Sequence, residues 1–225
     1  MSVSSAFRQV RRHPSAVLLA VQLIGVLLYP AMGSSTPGRL AFETFGLLVL
    51  LLAIFSVREL PGPTWVVITL ASSAAALAII DIFWHNPVLQ VASAALHAAF
   101  YFWATVVLLR YMLADRKVTT DELFAVGATF TLVAWGFAYL YVLLQVLQPG
   151  CFIAAVDSDQ PRTWTELLFL SFTTLSSTGL SDIVPVTGHA RSVVMIEQLA
   201  GLGYVALVVS RLVALTTLRV TGDHQ

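Results

Sequence analysis

The sequence predicts an all-α integral membrane protein with six membrane-crossing helices and a short re-entrant helix and loop between the fifth and the sixth. Three observations carry that prediction. Of the 225 residues, 58% are hydrophobic and only 11% charged, less than half the roughly 25% charged residues of a soluble globular domain. The apolar residues fall into runs of bilayer-crossing length, which for a helix is about 20 residues. One further apolar run is too short to cross, and a stretch rich in Ser, Thr and Gly follows it.

The first expected span runs from Ser15 to Ala31, ahead of the turn-rich Gly33 to Gly38. Arg11-Arg12, the apolar run and the small residues from Ala31 onward also fit a cleavable signal peptide; the reading retained is a first transmembrane helix. Leu40 to Val57 is the second, with Glu43 in its first turn, where a carboxylate suits the helix dipole. Arg58 to Pro63 breaks the helix. The third runs from Thr64 to about Ile82 and the fourth from Pro87 to about Met112, with Pro87 at a natural first helical position. Ala114 to Glu122 is polar, and Thr119 or Thr120 ahead of Asp121-Glu122 reads as a helix N-cap. A fifth span covers Leu123 to Leu147, and a sixth Val193 to Leu215. The organisation expected is a four-helix unit over 1–117 and a second unit over 118–225.

Charge fixes an expected orientation and excludes one function class. The 12 Lys+Arg balance the 12 Asp+Glu, so nothing here neutralises a nucleic-acid backbone. Arg8, Arg11, Arg12, Arg58, Arg110, Arg116, Lys117, Arg211 and Arg219 fall on one side of the expected topology. Arg39, Arg162 and Arg191 fall on the other. That bias puts both termini in the cytoplasm. Cys151 is the single cysteine, in an expected outer loop, so an intrachain disulfide or a multi-cysteine metal site is excluded.

Between the fifth and sixth spans, a short apolar helix over 163–175 precedes Ser176-Ser177-Thr178-Gly179-Leu180-Ser181-Asp182. Membranes tolerate non-helical backbone only where protein buries it or a watery cavity adjoins it. Entering from outside, such a half-helix points its negative C-terminal end at the membrane centre, where it stabilises a cation. The returning loop can then offer carbonyls and hydroxyls in place of an ion's water.

At these residues the chain resembles the potassium channels. Phe172 to Pro185 is similar to their pore loop, T-T-x-T-T-V-G-Y-G-D-x-x-P, with Thr173, Thr174, Gly179, Asp182 and Pro185 at matching positions. The similarity extends over roughly 118–215, and the four preceding helices resemble the peripheral domain of six-helix channels in number and length. The resemblance implies a four-fold homotetramer with one filter on the axis. It also implies permeant K+ at Ser177, Thr178, Gly179, Leu180 and Ser181, and a bacterial inner membrane. Leu180 stands where the family has a bracing tyrosine, and Ser181 where it has a second glycine. A non-glycine in left-handed geometry costs about 1–2 kcal/mol, so the outer half of the filter is expected to be reshaped and wider. The loop also resembles those of Trk/Ktr-type potassium uptake proteins, which carry one glycine per loop but four loops per chain.

Several residues carry paired readings. Asp182 is expected either to concentrate cations at the outer mouth or to bond the pore helix, for instance at Trp164, a candidate filter support. Glu197 lies about 9 Å along its helix from Arg191, near filter depth, where a buried partner such as a pore-helix hydroxyl is expected. Gly201 and Gly203 are read equally as a gating hinge or as close packing. His97 is expected to bond between helices, while Asp81 and His85 sit near an outer turn. The stretch Pro87 to Leu109 contains no Lys or Arg, so a moving array of gating charges is not expected. The functions implied are a monovalent cation channel, potassium first, a weakly selective Na+/K+ channel, or a non-conducting partner or sensor subunit. No metalloprotease or nucleophile-elbow motif occurs, so no enzyme activity, cofactor or soluble partner is expected.

Overall fold

The structure is a computed structural model, and it describes residues 13–32, 46, 64–84, 86–114, 119–157 and 159–222. The expected second span, the break from Arg58 to Pro63, His85, Arg8, Arg11, Arg12, Arg39, Arg116 and Lys117 lie outside those residues. The elements are α1 (Pro14–Met32), α2 (Thr64–Phe83), α3 (Pro87–Leu113), α4 (Thr120–Leu147), β1 (Phe152–Ala154), α5 (Trp164–Leu175), β2 (Ile183–Pro185) and α6 (Gly188–Gly222). Among the described residues, three helices are long and apolar enough to cross a membrane: Pro87–Leu113, Thr120–Leu147 and Gly188–Arg211.

The helix starts follow local chemistry. Asn86 accepts the Val88 N–H at 2.9 Å, with Pro87 in the first turn of α3. Thr119 is the N-cap of α4 and accepts the Glu122 N–H at 3.2 Å. The last helix begins at Gly188 rather than Val193, because the Thr187 hydroxyl accepts the Ala190 N–H at 3.4 Å and carries the helix through polar Arg191-Ser192.

The core lies where α3 and α4 meet. Phe100, Tyr101, Trp135 and Tyr141 are fully buried, and Tyr101 meets Trp135 edge-on at 5.5 Å. In lipid such residues gain by packing, since leaving one apolar medium for another yields little. His97 stacks on Tyr139 at 4.5 Å, but its Nδ1 pairs with the Ser93 carbonyl of its own helix at 2.9 Å. The interhelical contact of His97 is thus a ring stack, not the hydrogen bond expected. The buried stripe Ser15, Leu18 and Gln22 of α1, spaced three and four apart, packs against α4.

Five side-chain bonds at four levels hold α4 and α6 antiparallel. Thr187 and His189 bond Gln148 at 3.2 and 3.1 Å, Glu197 bonds Tyr141, Tyr204 bonds the Val126 carbonyl, and Arg211 bonds Glu122 at 3.0 Å. Helix α5 wedges between them from one end. Arg162 exchanges two bonds with Gln145, at 2.8 and 2.9 Å. Trp164 lies 6.0 Å from Tyr139, the Ser171 hydroxyl reaches the Ala134 carbonyl at 2.8 Å, and Phe172 meets Phe130 at 6.0 Å. The short helix therefore runs down α4 to about its middle.

The chain then returns. Strand β2 pairs antiparallel with β1, Phe152 facing Pro185 and Ala154 facing Ile183. The described residues are mostly helical, as expected, and this short ladder is an addition: two three-residue strands lock the return of the loop to the end of α4 from which α5 set out. Their brevity hid them, since three residues carry no readable alternation.

Candidate functional site

The short helix is anchored firmly at its start. Thr163 and Glu166 form a reciprocal capping box, with Thr163 N–H to Glu166 Oε2 at 2.6 Å and Glu166 N–H to Thr163 Oγ1 at 3.3 Å. Arg162, 5% exposed, turns its guanidinium onto the carbonyls of Val156, Asp157 and Gln160 and onto Glu166 at 3.5 Å. One side chain thus holds both the loop ahead of α5 and the first turn of α5. Its spacing to Glu166 was the single signal available in sequence.

The C-terminal end of α5 closes in a Schellman turn. Ser177 N–H donates to the Thr174 carbonyl and Thr178 N–H to the Thr173 carbonyl, both at 3.0 Å, with Ser177 at φ 59°. Gly179, at φ 67°, also donates to the Thr173 carbonyl at 3.0 Å. The left-handed non-glycine of the loop is therefore Ser177, not Ser181 as the sequence suggested. The closing turn falls two residues after the helix rather than at the second family glycine. Ser181 instead accepts the Ile183 N–H on its hydroxyl at 3.1 Å, a local side-chain turn that aims the chain into β2.

Ser177, Thr178, Gly179 and Leu180 are exposed and Ser181 half-buried, with Leu180 at 77%. Among the described residues no donor reaches the carbonyl oxygens of Ser177 to Ser181. The Thr178 hydroxyl turns back, 3.3 Å from the Thr173 carbonyl and 3.0 Å from the Ser176 hydroxyl. Asp182 is exposed, and no bond joins it to Trp164. The Trp164 ring instead packs edge-on against Trp135 at 5.3 Å, so this residue seats the start of α5 on α4 rather than the loop. Sequence reasoning placed both residues beside the filter because the family motif is linear.

Behind the loop, Glu197 is fully buried and bonded by the Tyr141 hydroxyl of α4 and the Ser171 hydroxyl of α5. Three elements thus meet at one carboxyl group. Ser171 is a hydroxyl of the short helix, of the kind expected for Glu197, and the Tyr141 hydroxyl of α4 is a second partner. The two glycines divide. A Cβ on Gly201 would lie 2.0 Å from the Leu175 carbonyl oxygen, whereas one on Gly203 meets nothing within 4 Å. Gly201 is therefore the seat on which the end of α5 rests.

The far side of α6 is open and apolar: Met195, Leu199, Leu202, Val209 and Val213 are 53–70% exposed, and they recur at helical spacing along one face. Cys151, by contrast, is fully buried beside β1. Burial pushes its thiol above the ordinary range, so the reactive thiolate forms only at more alkaline pH. Maleimide labelling of the folded protein near neutral pH is expected to be at least about tenfold slower than after denaturation. Equal rates would mean that the loop around Cys151 is open.

A short helix descends between two long antiparallel helices, each apolar and long enough to cross a membrane, and returns through an exposed loop, which defines a helical membrane protein with a re-entrant segment. Residues 127–217, from within α4 almost to the end of α6, match the family described as "Ion channel". The chain is also similar to Protein LctB of Bacillus caldotenax, 30% identical over 103 residues, covering 44% of this chain and 76% of LctB. The chain belongs to the ion-channel family and is a multi-pass membrane protein. No solved structure matches it significantly.

Proposed function

We propose that this chain is one subunit of a homotetrameric channel for monovalent cations, potassium first, with the loop Ser177 to Ser181 lining a four-fold axis. The observation that carries this reading is the path of 163–185: down to mid-depth of α4, then back, leaving exposed carbonyls that no protein group occupies. An ion crossing a narrow path needs such oxygens in place of its water. One loop cannot surround an ion, and the exposed loop beside the apolar face of α6 supplies a surface for further copies. The C-terminal end of α5 aims its dipole at that axis, and the exposed Asp182 carboxylates form an outer ring that attracts cations. Residues 1–117 form the peripheral unit of a six-helix chain in a bacterial inner membrane, with both termini cytoplasmic.

A second reading, weak selectivity between Na+ and K+, is favoured by the Schellman closure. It turns the Thr178 hydroxyl back onto the helix and leaves Leu180 rather than a bracing side chain on the outer half. The test is ion flux from liposomes holding purified protein, with subunit number measured by native mass. Four subunits and a cation flux that Gly179→Ala diminishes are expected. A monomer, or a tetramer without flux, would favour a non-conducting subunit.

A further inference from the structure

Asp121 and Glu122 are neighbours in the first turn of α4, 6% and 5% exposed, yet their carboxylates serve different helices. Asp121 Oδ1 accepts the Ser15 N–H at 3.1 Å, and Oδ2 accepts the Ser15 hydroxyl at 2.8 Å and the Tyr111 hydroxyl at 3.3 Å. Ser15 opens α1, and Tyr111 lies in the last turn of α3. Glu122 Oε2 instead pairs with Arg211 of α6 at 3.0 Å, both side chains nearly buried. A favourable helix dipole would explain two carboxylates here, but not why donors from three helices converge on them.

We propose that this turn is a coupling joint: the position of α1 is passed through Asp121 and Glu122 to the far end of α6 and biases its opening. This rests on the reading of α6 as the pore-lining helix. Glu122 lies at the opposite end of α4 from Gln148, so the pair with Arg211 sits far from the loop. Among the described residues the next side-chain tie between α4 and α6 is that of Tyr204 to the Val126 carbonyl. Beyond Tyr204, α6 cannot swing from α4 without parting Arg211 from Glu122, and a buried charge left alone is strongly unfavourable. Because Asp121 and Glu122 share one rigid helical turn, a shift that releases Glu122 also moves the acceptor of Ser15. Linkage makes the effect reciprocal.

The test uses the full chain in liposomes. Ser15→Ala and Arg211→Gln are each expected to change open probability by about fivefold or more, with unitary conductance and reversal potential unchanged. The double variant is expected to change it by less than the product of the two, and Arg211→Lys to stay near the original. Independent, multiplying effects, or no effect of Ser15→Ala, would overturn the coupling. Hydrogen exchange reads the joint without any current: amides at the start of α1 are expected to exchange at least about fivefold faster in Arg211→Gln. Unchanged exchange there would overturn the joint, whereas faster exchange in a protein that passes no current would sustain the joint and refute the pore.

Discussion

Gly201→Ala is expected to unseat the short helix and abolish ion flux, while Gly203→Ala leaves both stability and flux near the original. The added Cβ at 201 would sit 2.0, 2.8 and 3.1 Å from the oxygen, carbonyl carbon and Cα of Leu175. All three are backbone atoms, so no rotamer change relieves the clash. Either α6 or the end of α5 must shift, and the Schellman turn that begins one residue later shifts with it. Overpacking costs about 1–3 kcal/mol and occasionally more, and a backbone collision belongs at the upper end. At Gly203 the open space leaves only helix propensity, which favours alanine by about 1 kcal/mol. Thermal unfolding of the two variants in detergent, alongside their flux, separates packing from hinge. A Gly201→Ala protein with unchanged unfolding temperature but altered gating would restore the hinge reading.

The second large effect is expected at Glu197, where alanine should destabilise the fold and glutamine should leave it near the original. The Ser171 hydroxyl lies 2.8 Å from the Ala134 carbonyl and also meets Glu197 Oε1. It has one hydrogen, and the carbonyl can only accept. If that hydrogen goes to Ala134, the link to residue 197 needs a donor on residue 197 itself. A carboxyl carrying its proton, or a carboxamide, supplies one while its other oxygen still accepts from Tyr141. Glu197→Gln is therefore expected to unfold within about 1 kcal/mol of the original. Glu197→Ala leaves the buried Tyr141 hydroxyl without its acceptor, worth about 1–3 kcal/mol, and opens a cavity between three helices. Denaturation midpoints of the two variants decide this. A Gln variant as weak as the Ala variant would mean that a negative charge at 197 is itself required.

Most of the helical plan was legible because its signals are local. Pro87 after Asn86, Thr119 before Asp121-Glu122, and the short run from Trp164 to Leu175 each announce a boundary through one or two residues. The short helix was read over 163–175 against an observed Trp164–Leu175, and Glu197 as buried near its depth. What escaped depends on tertiary approach. The Leu175 carbonyl above Gly201 is a contact between residues 26 apart, and a glycine reads the same whether it hinges or is packed upon. The left-handed residue was assigned to Ser181 by alignment to a motif with two glycines, but the helix end decides it, and the Schellman turn needs it at Ser177. Arg162 and Arg211 entered the sequence reading only through the orientation bias and Glu122 only as an acid behind a helix cap, because burial cannot be read from a single charged letter.

The most direct test of the central claim is the reversal potential of purified protein in a planar bilayer, with potassium on one side and sodium on the other. A cation current reversing on the potassium side of zero is expected, because in the proposed pore the carbonyls from Ser177 to Ser181 replace potassium's water. A smaller displacement would mark the weaker selectivity that Leu180 and the turned-back Thr178 favour. An intact tetramer that passes no current under any applied voltage would contradict the claim that this loop conducts.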